Sequence, residues 1–251
     1  SKGRHLQEQR LNQLKRDMRA HPCHSCNERE AHARWGERWF KLSRELDGII
    51  AQIEGRTNQV AKTFDKICGM LVDLNYVKEI DGDFEVLDAG KTLARIYGER
   101  DLLISECIRE GVWAKLDPAS LAAMAAALVY EARREEEWEP RLPKGNFQEI
   151  IQTTVNIWDD LENLAHSHKL GQTAPLDLSL ALPIHRWASG AKLDSVLDSA
   201  DLLAGDFIRW TKQIIDVLDQ IAAASGPELA ATAKLAVDKV KRGIVAYSYY
   251  G

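Results

Sequence analysis

Apolar residues recur at helical spacing along most of the 251-residue chain. Leu6, Leu11, Leu14 and Met18 share one side of a helix over residues 4–20, and Trp35, Trp39, Leu42, Leu46 and Ile49 do so over about 27–54. Between them HPCHSC (21–26) breaks the pattern, Pro22 stopping the first helix, so the two predict a helical hairpin. In TNQVAKTFDKICGMLVDLNYV, Val60, Phe64, Ile67, Leu71 and Leu74 line the face of a further helix. The period then shortens in VKEIDGDFEVL, where Asp81-Gly82 separates two short strand-like runs. A type I′ turn needs residues that accept positive φ, so this predicts a tight β-hairpin.

From about residue 95 the pattern is almost wholly helical. Asp117 as N-cap and Pro118 in the first turn open the Ala-rich LAAMAAALVYEARR. EEEWEPRLPKGN follows as a charged loop, then the helix NFQEIIQTTVNIWDDLENLAHS and LALPIHRWASG with Gly190 as C-cap. A short KLDSVL turn leads to GDFIRWTKQIIDVLDQIAAAS, and a last helix opened by Ser225 and Pro227 is expected to run to the C-terminus. A helix followed by a β-wing is the second half of a winged helix. The pattern therefore predicts a mainly α chain in three parts: a helical hairpin over 1–55, a partial winged helix with a small β-wing over 56–95, and a helical bundle over 96–251.

Composition narrows the setting. With 45% hydrophobic residues the chain can bury real cores, and its length is near the upper limit for a single one. Four cysteines, two of them isolated at Cys68 and Cys107 in apolar helical contexts, do not form a secreted disulfide framework, so a reducing cytoplasm is the expected compartment. No apolar run approaches the roughly 20 residues that cross a bilayer, and the first ten residues carry no apolar signal region; a soluble protein without a membrane partner is expected. Net charge is −5, so any nucleic acid must be met by a local basic surface. The first twenty residues, with six Lys/Arg against Glu8 and Asp17, are one candidate.

Several motifs invite more chemistry than they support. AGKT (89–92) looks like the end of a phosphate-binding loop, but the earlier glycine of that loop would stand at position 85, which is Glu85, so a turn after the wing strand is expected. His166 and His168, two apart, point to different sides of a helix and are expected in solvent. Glu135, Glu136 and Glu137 read as an exposed run, and with no paired carboxylates or nucleophile elbow no catalytic residue is assigned. In HPCHSC, Cys23 and Cys26 with His21 or His24 and with His32 have ligand chemistry that suits zinc. Strong zinc sites usually carry two such pairs, and His32 falls inside a helical pattern, so a turn is the preferred reading and no metal is assigned.

Four blocks of the C-terminal half, LARIYGERDLLISECIREGVWAKLDPASLAAMAAALVYE (93–131), PIHRWASGAKLDSVL (183–197), GDFIRWTKQIIDVLDQI (205–221) and KVKRGIVAYSYY (239–250), resemble the helical C-terminal domain of superkiller-type DExH-box RNA helicases, the DSHCT domain, and its bacterial HelY-like members in particular. His21-Pro22-Cys23-His24 also matches the His-Pro-x-His turn of that family's stalk, the cysteines being the departure. The resemblance implies a chain holding the returning stalk, half of the winged helix and the bundle. The RecA-like motor domains, with their ATP and Mg, would lie outside it. Implied partners are single-stranded RNA, those motor domains and proteins of an RNA-processing assembly that dock on the stalk.

The resemblance further assigns residues 205–224 to the family's ratchet helix, which meets RNA bases. At 100° per residue, Phe207, Trp210, Ile214, Val217 and Ile221 form one stripe and Arg209, Gln213, Asp216 and Gln220 a second. The first should pack and the second face a channel, with Arg209 and Lys212 available to phosphates or bases and Gln213 and Asp216 to base edges. Relatives tend to carry Arg where this chain has Gln213. In the last block Lys241 and Arg242 are expected either at phosphates or simply at the surface, and Trp187 is expected in the core.

Overall fold

The computed structural model describes residues 2–132 and 140–249, with side chains described from Gln7 onward. The chain is mainly α, as expected, and divides into two compact units, residues 1–62 and 63–251.

In the first unit, α1 (Lys2–Ala20) ends at a 3-10 turn (Pro22–His24), and α2 (Arg29–Asp73) follows, its residues from Thr63 on belonging to the second unit. His21 is extended and its Nδ1 accepts the Cys23 N–H at 3.2 Å, so the turn is capped by its own first residue. The helices are joined as the sequence predicts, but their apolar stripes stay in solvent: Trp35 and Trp39 are each 67% exposed, and Leu11, Leu14, Leu42 and Leu46 are exposed too. The break expected near residue 55 does not occur, and α2 is one helix of 45 residues. Gly48 and Gly55 cost it only about 1 kcal/mol each, there is no proline, and the Thr57 hydroxyl folds back to donate to the Ile53 carbonyl at 3.0 Å.

In the second unit, β1 (Val77–Ile80) and β2 (Asp83–Val86) pair antiparallel, Val77 opposite Val86 and Ile80 opposite Asp83. Asp81 (φ 52°) and Gly82 (φ 88°) form the turn, both left-handed as the Asp-Gly pair predicts. AGKT, expected as a turn, lies in the short helix α3 (Asp88–Leu93). A Cβ on Gly90 would stand 2.5 Å from the Tyr76 carbonyl oxygen, so glycine there lets α3 lie against the backbone leading into the hairpin.

Tyr76 ties that hairpin to α4 (Asp101–Arg109). Its ring is fully buried and its hydroxyl lies 2.5 Å from Glu106 Oε1 and 2.9 Å from Ser105 Oγ. Arg109 donates to Glu106 Oε2 at 2.6 Å and to the Leu74 carbonyl at 2.7 Å, with its guanidinium over the Tyr76 ring. Burial, then the bond to Glu106, pushes the Tyr76 phenol well above its ordinary pKa. His168, expected in solvent, instead places Nε2 2.7 Å from Asp73 Oδ2 and fastens the end of α6 (Phe147–Ser167) to that of α2.

The core is built round α5 (Pro118–Val129). Asp117 caps it by accepting the N–H groups of Ala119 and Ser120 at 2.9 and 3.1 Å. Every residue from Ala119 to Leu128 is buried, and α7 (Ala181–Ala188), α9 (Ala204–Ala224) and α10 (Pro227–Val240) pack against the helix. It stops at Val129, short of the expected EARR, because Tyr130 turns extended and sets its ring edge-on to Trp210 at 5.0 Å. Residues 133–139, with Glu135, Glu136 and Glu137, lie outside the described residues. KLDSVL, expected as a turn, belongs to a helix, α8 (Leu193–Ala200), and Gly190 takes the expected left-handed conformation (φ 98°) after α7. The last helix is interrupted: α10 ends at Val240 and α11 (Gly243–Tyr247) starts anew after an extended Arg242. Among the described residues no helix is long and apolar enough to cross a membrane.

Five alanines of α5, Ala122, Ala123, Ala125, Ala126 and Ala127, are fully buried, so the neighbouring helices stand where only a methyl fits. Ala126→Leu is expected to lower unfolding stability by about 1–3 kcal/mol, read as a lower urea midpoint at unchanged slope.

Candidate nucleic-acid interface

Helix α9 is two-faced. Phe207, Thr211, Ile214, Ile215, Val217, Leu218 and Ile221 are buried, Trp210 is half-buried, and Arg209, Gln213 and Asp216 are exposed along the opposite edge. That is the pair of stripes the sequence predicts, wider on the apolar side by one row. No side chain caps the helix, but Asp206 in the first turn complements the positive end of the dipole.

The five sequence-predicted residues separate into two groups. Arg209 has its guanidinium over the Trp210 ring at 4.7 Å and 3.6 Å from Asp206 Oδ1, which holds it against the helix with more than half of its side chain in solvent. Gln213 and Asp216 stand in line with it, four and seven residues on. Lys212 turns away: its Nζ donates to the Ser248 carbonyl at 3.0 Å and sits over the Tyr249 ring at 5.1 Å. Gln220 is also engaged, its Oε1 accepting the Tyr97 N–H at 2.7 Å. The structure thus brings Arg209, Gln213 and Asp216 to one open edge and commits Lys212 and Gln220 to fixing neighbouring segments.

The C-terminal segment organises one side of this helix. Trp187 is in the core as expected, meeting Phe207 of α9 edge-on at 5.4 Å and donating through Nε1 to the Val240 carbonyl at 2.9 Å. Arg242 stacks on the Trp187 ring at 3.6 Å and donates to the Trp187 and Ala191 carbonyls, so it closes the bundle and is not free for phosphate. Lys241 lies over Tyr249 at 4.4 Å. Burial raises the Tyr249 phenol, and the carboxylates of Asp216 and Asp219 raise it further.

On another side, a cavity of about 290 Å³ opens between α9 and the segment before α4, lined by Tyr97, Gly98, Arg100, Glu131, Trp210 and Gln213. Arg100 Nη2 donates to the Ala174 and Pro175 carbonyls, and burial lowers the guanidinium's pKa against the pull of Glu131, Glu99 and Glu162. Tyr97 is 74% exposed. Sequence reasoning missed both Tyr97 and Tyr249. An aromatic beside glycine in the aperiodic IYGERD was the available signal for the first, and the C-terminal block contained the second.

At HPCHSC, Cys26 Sγ lies 3.5 Å from His32 Nδ1, while His32 Nε2 faces Glu28 Oε2 at 3.7 Å and His21 Nδ1 is spent on the Cys23 amide. Cys23, Cys26 and His24 do not join with His32 into one cluster: among the described residues no three His, Cys, Asp or Glu side chains gather as metal ligands. All four cysteines are free thiols, and burial pushes Cys107 up to about 12, making it an unreactive core residue.

Residues 83–248 match the DSHCT (NUC185) domain. The chain is 34% identical over 248 residues to the probable helicase HelY of Mycobacterium tuberculosis, covering 94% of this chain and 27% of that protein. A DExH-box ATP-dependent RNA helicase of Arabidopsis thaliana, DExH15 chloroplastic, is 26% identical over 163 residues, 62% of this chain and 14% of that protein. The antiviral helicase SKI2 of Saccharomyces cerevisiae is 22% identical over 195 residues, 73% and 14%. The chain spans about a quarter of the length of its mycobacterial relatives.

The acidic side of α9 makes a pH-dependent prediction. Partial burial and the neighbouring Asp216 charge raise the Asp219 carboxyl, Lys241 only partly opposing them. A raised folded-state pKa gives stability that is fully present below the unfolded value of about 3.9 and is lost as pH rises through the folded one. Asp219→Asn, which removes that charge, should therefore raise the urea midpoint at pH 7 and give no gain near pH 3.

Proposed function

Since the chain belongs to the DSHCT (NUC185) domain family, with DExH-box helicases among its relatives, we propose that it is the C-terminal accessory region of an ATP-dependent DExH-box RNA helicase and guides single-stranded RNA along α9. The observation that carries this reading is the row Arg209, Gln213, Asp216, an open polar edge on a helix whose apolar stripe is held in the bundle core. A single strand needs such an edge. Arg209 offers a cation for phosphate or a planar group for stacking, while Gln213 and Asp216 offer donors and acceptors to unpaired base edges.

Hydrolysis of ATP with Mg is work for RecA-like motor domains elsewhere in a longer protein, of which this chain is the accessory part. The α2 end with the β1–β2 hairpin serves as the second half of a winged helix joining motor to bundle. With four free thiols the protein suits a reducing, cytoplasmic setting. The net charge of −5 and the few free cations at the α9 edge make strand binding by the isolated chain weak and steeply salt-dependent.

In fluorescence anisotropy with a labelled single-stranded RNA and the full-length helicase, replacing Arg209 and Asp216 together by alanine should weaken binding by about tenfold and slow unwinding. Unchanged affinity and unwinding would remove α9 from the RNA path.

A second reading rests on a different observation, the solvent-facing Trp35, Trp39, Leu42, Leu46 and Ile49 along α2. Exposed apolar stripes of this length are surfaces for partners. In this reading residues 1–55 dock proteins of an RNA-processing assembly. Deleting residues 1–50 of the full-length protein should then abolish co-purification of its protein partners, and intact pull-downs would exclude it.

A further inference from the structure

Tyr97 is a large aromatic side chain 74% exposed on a backbone that is tightly held. Ile96 beside it is buried in the core, the Tyr97 N–H is accepted by Gln220 at 2.7 Å, and Arg95 Nη1 donates to the Ala223 carbonyl at 3.3 Å. Arg95 and Tyr97 are therefore pinned to the C-terminal half of α9 by its backbone and a side chain, with Ile96 between them buried in the core. The ring they hold out shares the 290 Å³ cavity with Trp210 and Gln213 of that helix.

The cavity's size and charge restrict what fits. Its volume lies at the lower end of ligand-sized pockets, enough for one planar heterocycle and not for a strand. Glu99 and Glu131 stand at its wall, so a phosphate is disfavoured, while Arg100, whose Nη2 serves two backbone carbonyls, keeps a buried Nη1 without a hydrogen-bond partner among the described residues. A neutral aromatic group with a hydrogen-bonding edge is favoured: it meets the aromatic side chain of Tyr97, the indole of Trp210 that already carries the Arg209 guanidinium, and an amide on Gln213 that both donates and accepts.

We propose that this cavity seats one unstacked nucleobase of the guided strand, with Tyr97 as the stacking residue, Gln213 as the edge-reading residue and Gln220 as the positioning residue that holds Tyr97 in place. The proposal rests on the reading of α9 as the strand's path and adds the pocket into which a base leaves it. It also assigns Gln220 a role through Tyr97 instead of through the strand itself. Stacking platforms tolerate any base, so the seat adds affinity without a strict sequence preference.

The test uses the 251-residue chain at low salt and a dodecamer of oligouridine carrying one 2-aminopurine, moved one position at a time. Stacking quenches 2-aminopurine fluorescence, a signal that a merely structural defect elsewhere would not produce. At one position the wild type and Tyr97→Phe should quench strongly. Tyr97→Ala should lose that quench and bind about fivefold or more weakly. Gln220→Leu should behave like Tyr97→Ala, while Gln220→Glu, which keeps an acceptor for the Tyr97 amide, should restore the quench. If Tyr97→Ala quenches and binds as the wild type does while Arg209→Ala with Asp216→Ala binds more weakly, the seat is wrong and the α9 path stands. If the wild type binds no strand at all, both fall.

Discussion

Ten consecutive buried residues, Ala119 to Leu128, leave α5 no side facing water, so other elements must enclose it. Its alanines let α7, α9 and α10 approach closely, since helices separated by methyl groups pack nearer than helices separated by leucines. This constraint fixes where α9 lies and how it is rotated. Phe207, Ile214, Leu218 and Ile221 face inward because α5 and α10 supply the apolar surface there, and the edge carrying Arg209, Gln213 and Asp216 is what remains. The open edge is a by-product of the core as much as a property of the helix.

Two polar clusters hold the ends of that arrangement. On one side Tyr76, Glu106 and Arg109 join the β-hairpin to α4, with the buried Tyr76 hydroxyl and both Glu106 carboxylate oxygens engaged, as buried polar groups require. On the other, Arg242 stacked on Trp187 and bonded to two carbonyls breaks the last helix and turns its final segment back to α9. Lys212 and Tyr249 meet only because of that turn. Positive charge that would otherwise be open on α9 is thereby drawn into the fold, which leaves Arg209 beside Gln213 and Asp216 at the edge.

Much of this was legible from pattern alone. The Asp-Gly turn, the cap at Asp117, the left-handed Gly190 and the two stripes of α9 are local: each depends on residues a few positions apart, and the structure has them where the periodicity places them. The misjudged places share a cause. KLDSVL was too short for its period to tell helix from turn, and AGKT was expected as a turn because nothing local shows that Gly90 must pass beside the Tyr76 carbonyl. His168 was expected in solvent since its partner Asp73 lies 95 residues earlier.

The sequence by itself determined that α9 has one apolar and one polar side, because a 3.6-residue period is written in consecutive positions. It did not determine which polar residues stay open. Lys212 meets a carbonyl 36 residues away and Gln220 an amide 123 residues away, and each partner is delivered by packing that involves other helices. Hydrogen bonds of that range depend on distances that only the closed core sets, so tertiary structure decided that Arg209, Gln213 and Asp216 form the edge and that Tyr97 stands beside it.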